Sequence, residues 1–262
     1  MRSRLAAVIA LMVIAVPGTA TASAVGRGER PKPSRAIGTR GMARLPAGTY
    51  RPLYSMPGEI EVRVAAFALD RRPVTRAEFL AFVRLHPAWR RDSVRPPLAE
   101  PAYLAQWPGV LDAGSGSDLQ RPATGVSWFA ATSYCAARGK RLPTLDEWEY
   151  AAAASVTRRD AIGDPAFRRM LLALYAARSR AQLPIAGSGA ANAYGIRDLH
   201  GSAWEWTRDF NSSHRLYCAS GAIGAADPTN YPAFMRSAFR AALTSRATLD
   251  GLGFRCAADQ PV

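Results

Sequence analysis

The chain has little long apolar sequence. Its one sustained apolar run, Leu5–Val16, is shorter than the roughly 20 residues that a membrane-crossing helix needs, and no later stretch reaches that length. The run follows Arg2 and Arg4 and leads to the small residues Ala22–Ala24, which is the layout of a secretory signal peptide. We therefore expect residues 1–24 to be a cleaved signal peptide, the mature protein to be periplasmic or secreted, and no membrane span to remain after cleavage.

Lysine is also scarce. Lys32 and Lys140 are the only lysines, so arginine supplies nearly all of the formal net charge of +14. A basic balance of this size can attract nucleic acid, anionic lipid or acidic substrates. The arginines are scattered, however, and form no basic stripe interleaved with aromatic residues, which argues against a nucleic-acid partner. A solvated basic surface, with the arginine preference of a GC-rich genome, is the interpretation we favour.

Cysteine and histidine occur only three times each. They are Cys135, Cys218 and Cys256, and His86, His200 and His214. Three cysteines in an exported chain permit one disulfide and leave one thiol over, and counting does not say which pair forms. The histidines are too dispersed to predict a three-ligand metal site. Cys218 follows closely after His214, so this pair can bind metal or supply a nucleophile, with an unused thiol as the alternative.

The mature chain begins with a segment of low complexity. Residues 25–41 are rich in Gly, Pro, Arg and Ser and have few large apolar side chains, so we predict a disordered linker. From Met42 the pattern changes to short alternating runs. Two of them, Ile60–Val64 and Ala66–Leu69, predict half-buried strands.

Two capping boxes predict helix starts. In each, a threonine is followed three residues later by a glutamate, and the two side chains satisfy each other's backbone N–H groups. The pairs are Thr75 with Glu78 and Thr144 with Glu147. Two further helices are predicted, from Ser127 to Gly139 and from Pro165 to Arg180.

The rest of the sequence predicts irregular structure. Residues 90–122 are dense in Pro, Gly, Ser and Asp and contain Tyr103 and Trp107, which we expect to pin the loop to the core. Beyond Gln182 there is no long helical period. Strands, central helices and much loop together predict an α+β protein, which we expect to be a monomer.

Five segments, in order, resemble the formylglycine-generating-enzyme (sulfatase-modifying-factor) family. They are Leu45–Tyr50, Pro73–Phe79, Gly125–Trp128 continuing to Gly139–Tyr150, Tyr194–Thr207, and Gly253–Cys256. Together they identify residues 42–262 as a domain of this family. The resemblance implies the irregular α+β formylglycine-generating-enzyme fold, which is related to C-type lectins. It also implies that Cys135 and Cys256 are joined by a disulfide.

The resemblance implies a calcium ion as well. In the family, the loop matching residues 198–205 binds calcium through side-chain and backbone oxygens, which are the ligands this ion prefers. The matching residues are Asp198, Gly201, Ala203 and Glu205. The alternative is an ordinary turn held by core tryptophans.

A substrate cleft is implied by three further positions. Trp204 matches a tryptophan of the family's cleft, and Arg236 and Arg240 match a strand beside it. An aromatic wall flanked by guanidinium groups suits a peptide or an anionic small molecule. The alternative is that both arginines form structural salt bridges.

The family's copper-binding cysteine pair is missing. Formylglycine-generating oxidases hold copper between two thiolates, but the matching stretch here, residues 231–240, has no cysteine. The segment ahead of it, normally Arg-Gly-Gly-Ser, is replaced by Cys218–Ala222, which leaves Cys218 as the candidate reactive thiol.

These observations rank three functions. The first is an exported maturation or accessory factor, of oxidoreductase type, that acts on a partner protein or a peptide-derived product. The second is a non-catalytic, lectin-like binding module. The third, a sulfatase-activating formylglycine oxidase, is least favoured because the cysteine pair is missing.

Overall fold

Short strands and helices alternate with long irregular segments. The computed structural model describes residues 41–52, 61–176, 182–211 and 231–260. The strands in these residues are β1 Met42–Leu45, β2 Gly48–Tyr50, β3 Val62–Val64, β4 Phe67–Asp70, β5 Trp204–Glu205, β6 Leu252–Gly253 and β7 Ala257–Asp259. The α-helices are α1 Arg76–Leu85, α2 Trp128–Ala136, α3 Leu145–Ala152, α4 Pro165–Ala176 and α5 Tyr231–Ala241.

The predicted signal peptide and linker lie outside the described residues, except for Gly41. Strand β1 begins at Met42, the residue at which the sequence pattern changes. Within the described ranges, no helix combines the length and the apolar character that crossing a membrane requires.

The strands pair locally and across the whole chain. Strands β1, β4 and β7 form an antiparallel sheet with β4 in the centre, where Phe67 lies opposite both Leu45 of β1 and Asp259 of β7. Strands β2 and β3 pair antiparallel, and β5 and β6 pair parallel. In β3 the two valines are buried and Arg63 is exposed, which is the alternation of a half-buried strand.

Both capping boxes are confirmed. Thr75 Oγ1 accepts a hydrogen bond from Glu78 N at 3.2 Å, and Thr75 N donates to Glu78 Oε2 at 2.9 Å. Thr144 and Glu147 make the same two bonds at 3.1 and 2.8 Å. These bonds fix the starts of α1 and α3, because they satisfy backbone N–H groups that have no partner within the helix.

Two further predicted helices are present, and the first of them ends earlier than predicted. Helix α2 ends at Ala136, and a turn leads to Gly139, whose φ of +66° favours glycine. Helix α4 is described to Ala176, and its predicted end at Arg180 lies outside the described residues. The helix buries Phe167 and Leu171. The irregular segment 90–122 is confirmed, with only short 3-10 turns at Pro96–Leu98 and Gly116–Gln120.

The strand expected at residues 231–240 is wrong, because this segment is helix α5. Pro232 stands in the first helical turn, where its missing N–H does no harm, and the alanines, methionine and arginines that follow favour a helix. The consequence is geometric. Arg236 and Arg240 are four residues apart and so lie on the same face of α5.

A large aromatic core surrounds the cross-link. Phe79, Tyr134 and Phe254 contact one another there, with ring centroids 5.2–5.9 Å apart. Cys135 and Cys256 are joined by a disulfide, as the resemblance implied, and both are fully buried. The bond connects residues 121 positions apart, so it ties α2 to the segment before β7.

Candidate functional site

Trp204, on β5, lies in an aromatic pocket. Its ring stacks on Phe239 of α5 with centroids 4.5 Å apart, and it meets Tyr175 of α4 edge-on at 5.6 Å. The space left among these rings is about 10 Å³, which is room for about one water molecule. In this conformation the pocket is filled by its own side chains.

The same pocket contains both predicted arginines. Arg236 and Arg240 are 2 % and 7 % exposed, and each points its guanidinium toward the carboxylate of Glu149, on α3. Arg236 donates to the two oxygens of Glu149 at 3.0 and 2.7 Å, and Arg240 donates at 2.7 Å. The structure thus brings Trp204, Arg236 and Arg240 together, and it pairs the two arginines with a carboxylate.

The charged groups of this cluster are hydrogen-bonded to one another. Two guanidinium groups share one carboxylate, and Arg236 also donates to the hydroxyl of Tyr175 at 3.3 Å. Burial disfavours the charged carboxylate of Glu149, but the charges and hydrogen bonds of the two arginines outweigh burial and lower its pKa to about 2. The cluster retains one excess positive charge next to Trp204.

His200 lies beside the cluster. Its Nε2 atom is 2.9 Å from the carbonyl oxygen of Ala152, and its Nδ1 atom is buried without a hydrogen-bond partner. The ring packs edge-on against Trp148 and Phe167. Burial, and then the positive charge of Arg236, lower the pKa of His200 to about 4.

The lowered pKa values of Glu149 and His200 predict that acid destabilises the native state. The unfolded chain takes up a proton on His200 below its ordinary pKa of 6.5, while the folded chain does so only near pH 4. We therefore expect His200 to leave the free energy of unfolding at its full value above pH 6.5. Protonation of the unfolded chain should lower that free energy by on the order of 3 kcal/mol as the pH drops to about 4. Glu149 adds a second loss of similar size between its ordinary pKa of 4.5 and about pH 2.

Urea unfolding at a series of pH values measures this dependence. His200→Gln should remove the loss above pH 4.5 and leave the lower one. His86→Gln is the matched control, because that histidine is exposed, and it should leave the profile unchanged. An unaltered upper loss in His200→Gln would contradict the assignment.

A second ion pair lies below the pocket. Arg255, next to the disulfide, donates to the two oxygens of Glu205 at 2.7 and 2.8 Å, and neither side chain is exposed. Trp148 Nε1 donates to Glu205 at 2.8 Å. Both carboxylate oxygens of Glu205 are thus occupied by protein donors.

The predicted calcium ligands do not fit a calcium ion. A calcium ion at Glu205 would stand beside the guanidinium that already neutralises this carboxylate. The carboxylate of Asp198 accepts hydrogen bonds from the backbone N–H groups of Gly187 and Gly189.

The loop turns at two residues with positive φ. Gly201 has a φ of +76°, and Ala203 is buried. Asp198 has a φ of +60°, a conformation that aspartate tolerates better than most residues and that its two hydrogen bonds hold in place. The residues predicted to bind calcium therefore stabilise the loop by contacts within the protein.

The family's copper site does not fit this chain either. That site needs two thiolates, and two of the three cysteines are joined in the disulfide. The remaining cysteine, Cys218, and its neighbour His214 lie outside the described residues.

Comparison with known proteins agrees with this architecture. The sequence family described as "Sulfatase-modifying factor enzyme 1-like domain" matches residues 28–260. The chain belongs to this family. Its short strands, central helices and irregular segments are the α+β composition predicted for the formylglycine-generating-enzyme fold.

The relatives of this sulfatase-modifying-factor chain carry two kinds of name. The chain is 31 % identical over 237 residues to "Inactive C-alpha-formylglycine-generating enzyme 2" of Mus musculus, covering 75 % of this chain and 76 % of that one. It is 30 % identical over 310 residues to the "Formylglycine-generating enzyme" of Streptomyces coelicolor, covering 95 % and 97 %. Among solved structures, PvdO from Pseudomonas aeruginosa is similar at 22 % identity and a TM-score of 0.47, covering 84 % of this chain and 94 % of that one.

Sequence reasoning missed Glu149 and Arg255 as partners. Glu149 lies in the family-like segment Gly139–Tyr150, and Arg255 lies in the family-like segment Gly253–Cys256. The available signal was the apolar surroundings of Arg255, because a buried arginine needs a carboxylate partner. Which carboxylate it meets was not evident from the sequence.

Proposed function

We propose that this chain is an exported accessory or maturation factor of the sulfatase-modifying-factor family. It binds a partner polypeptide or a peptide-derived product at the surface next to Trp204, and it does not convert cysteine to formylglycine. One observation carries the negative part of this proposal. Because Cys135 and Cys256 are cross-linked, the chain retains one thiol where the family's oxidation of cysteine uses two.

The pocket around Trp204 supports a binding role. Trp204 and Phe239 form a stacked aromatic pair, and Arg236 and Arg240 together exceed the charge of Glu149 by one. A peptide with an apolar side chain and a carboxylate matches that combination. Entry requires the stacked pair to separate, since the remaining space is about 10 Å³.

The test is an aldehyde assay. The mature chain is incubated with copper, oxygen and a peptide that carries the sulfatase cysteine motif, and the peptide is analysed by mass spectrometry. We expect no formylglycine, whereas the Streptomyces coelicolor enzyme under the same conditions is the positive control. Aldehyde that appears with this chain and disappears in Cys218→Ser would contradict the proposal.

A non-catalytic binding module is the second candidate. The pairing of Arg236 and Arg240 with Glu149 favours it. Both arginines are paired with protein groups. Metal analysis of the chain purified from its own compartment separates the two candidates. A bound transition metal supports a maturation enzyme, and a metal-free chain that still binds its partner supports the binding module.

A further inference from the structure

A second cavity lies apart from the Trp204 pocket. Its volume is about 500 Å³, and no residue lines both cavities. The walls come from residues 70–78, 134–140 and 186–197, together with Gly41. This volume is in the range of small-molecule sites, roughly 300–1,000 Å³.

The lining of this cavity is cationic. The positive side chains are Arg71, Arg72, Arg138, Lys140 and Arg197, and the negative ones are Asp70 and Glu78. Both carboxylates are already paired. Arg72 donates two hydrogen bonds of 2.9 Å to Glu78, and Lys140 Nζ lies 2.6 Å from Asp70.

The other three arginines of the lining have no carboxylate partner among the described residues. No carboxylate of the described ranges lies within 4.0 Å of Arg71, Arg138 or Arg197, and all three are exposed. Neutral groups hold all three in position. Arg71 donates to the carbonyl oxygen of Gly195 at 3.1 Å, and Arg197 donates to that of Gly189. The guanidinium of Arg138 lies 3.6 Å from the ring centroid of Tyr134. Since a guanidinium has five N–H groups, each keeps donors for a ligand.

The three arginines stand on two walls. Arg71 and Arg197 are on one side, where the Arg197 backbone N–H donates to the Arg71 carbonyl at 2.8 Å. Arg138 is on another, just beyond the end of α2. A ligand with two anionic groups can contact both walls at once, whereas a single ion reaches fewer of these cations.

We propose that this cavity binds a small molecule that carries two or more phosphate or sulfate groups. Planar guanidinium groups donate two parallel hydrogen bonds to such oxyanions, and the unpaired positive charges offset the ligand's charge. Nucleic acid fits less well, because the basic side chains enclose a cavity and form no stripe. The inference does not rest on the proposed function, since no residue of the Trp204 pocket takes part.

Isothermal titration of the mature chain tests this site. The probes are inorganic pyrophosphate, inorganic phosphate and sulfate, each compared with sodium chloride at the same ionic strength. We expect saturable binding that is tightest for pyrophosphate. Arg71→Gln and Arg138→Gln should each weaken it roughly tenfold, which is the effect of losing one charge-assisted hydrogen bond to the ligand.

Arg63→Gln is the matched control, because Arg63 is exposed on β3 and does not line the cavity. It should bind pyrophosphate as the unchanged chain does. Arg138→Lys keeps the charge but loses the planar fork, so an intermediate affinity would support the geometry. Equal affinity in all variants, heat reproduced by sodium chloride, or no saturable binding of any probe would overturn the proposal.

Discussion

Replacing Cys135 and Cys256 together by alanine is expected to lower the free energy of unfolding by about 5 kcal/mol. The cross-link joins residues 121 positions apart, so it restricts a large loop of the unfolded chain, and the chain-entropy model gives about this value for loops of that length. Urea unfolding at pH 7 under non-reducing conditions measures the change.

Cys218→Ser is the control for this prediction. It removes a thiol without touching the cross-link, so its unfolding midpoint should match that of the unchanged chain. Mass spectrometry of an unreduced digest checks the pairing directly. A peptide that joins Cys218 to either of the other cysteines would contradict it, as would an unchanged midpoint in the double variant.

Arg255→Met is expected to lower the free energy of unfolding by about 3–5 kcal/mol, because it leaves the buried charge of Glu205 without its counter-ion. Neither side chain of this pair is exposed, and Trp148 alone cannot replace the two hydrogen bonds that Arg255 donates to Glu205. Urea unfolding at pH 7, with the disulfide intact, measures the loss.

Two further variants interpret this result. The double variant Glu205→Gln with Arg255→Met should lose less than the sum of the single losses, since the second change removes the charge that the first leaves unpaired. Arg51→Gln breaks a surface pair whose side chains are 72 % and 47 % exposed, so it should change stability by less than about 1 kcal/mol. Equal losses in Arg255→Met and Arg51→Gln would contradict a structural role for the buried pair.

Trp148 connects the two ion-pair clusters. Its indole N–H donates to Glu205, and the guanidinium of Arg240 lies 4.9 Å from its ring centroid. Substitutions in either cluster should therefore alter the wall of the Trp204 pocket as well as stability. Partner-binding measurements on such variants need a parallel unfolding measurement, so that a reshaped pocket is told apart from a partly unfolded chain.

Local features were determined by the sequence alone. The helix starts at Thr75 and Thr144 could be predicted because a capping box uses only side chains three residues apart. The buried and exposed positions of β3 follow from the two-residue period of a strand. The family could be identified because five short segments keep their order, and its disulfide came with that resemblance.

The strand predicted for residues 231–240 was wrong because local sequence preference was not followed there. It was carried over from the family, although Pro232 and the helix-forming residues after it favour α5. Intrinsic preference within the segment was the better guide there. The resulting helix places Arg236 and Arg240 on one face, where both meet Glu149.

Only the tertiary structure decided which charged groups meet. Glu149 and Arg236 are 87 positions apart, and Glu205 and Arg255 are 50 apart, so no local spacing pairs them. The sequence presented Glu205 as a calcium ligand and Arg255 without a role, and packing brought the two together. A buried charge binds the opposite charge that packing places nearest, because leaving it unpaired costs several kcal/mol. That choice depends on how α3, α5 and the segment before β7 pack, which is a property of the whole fold.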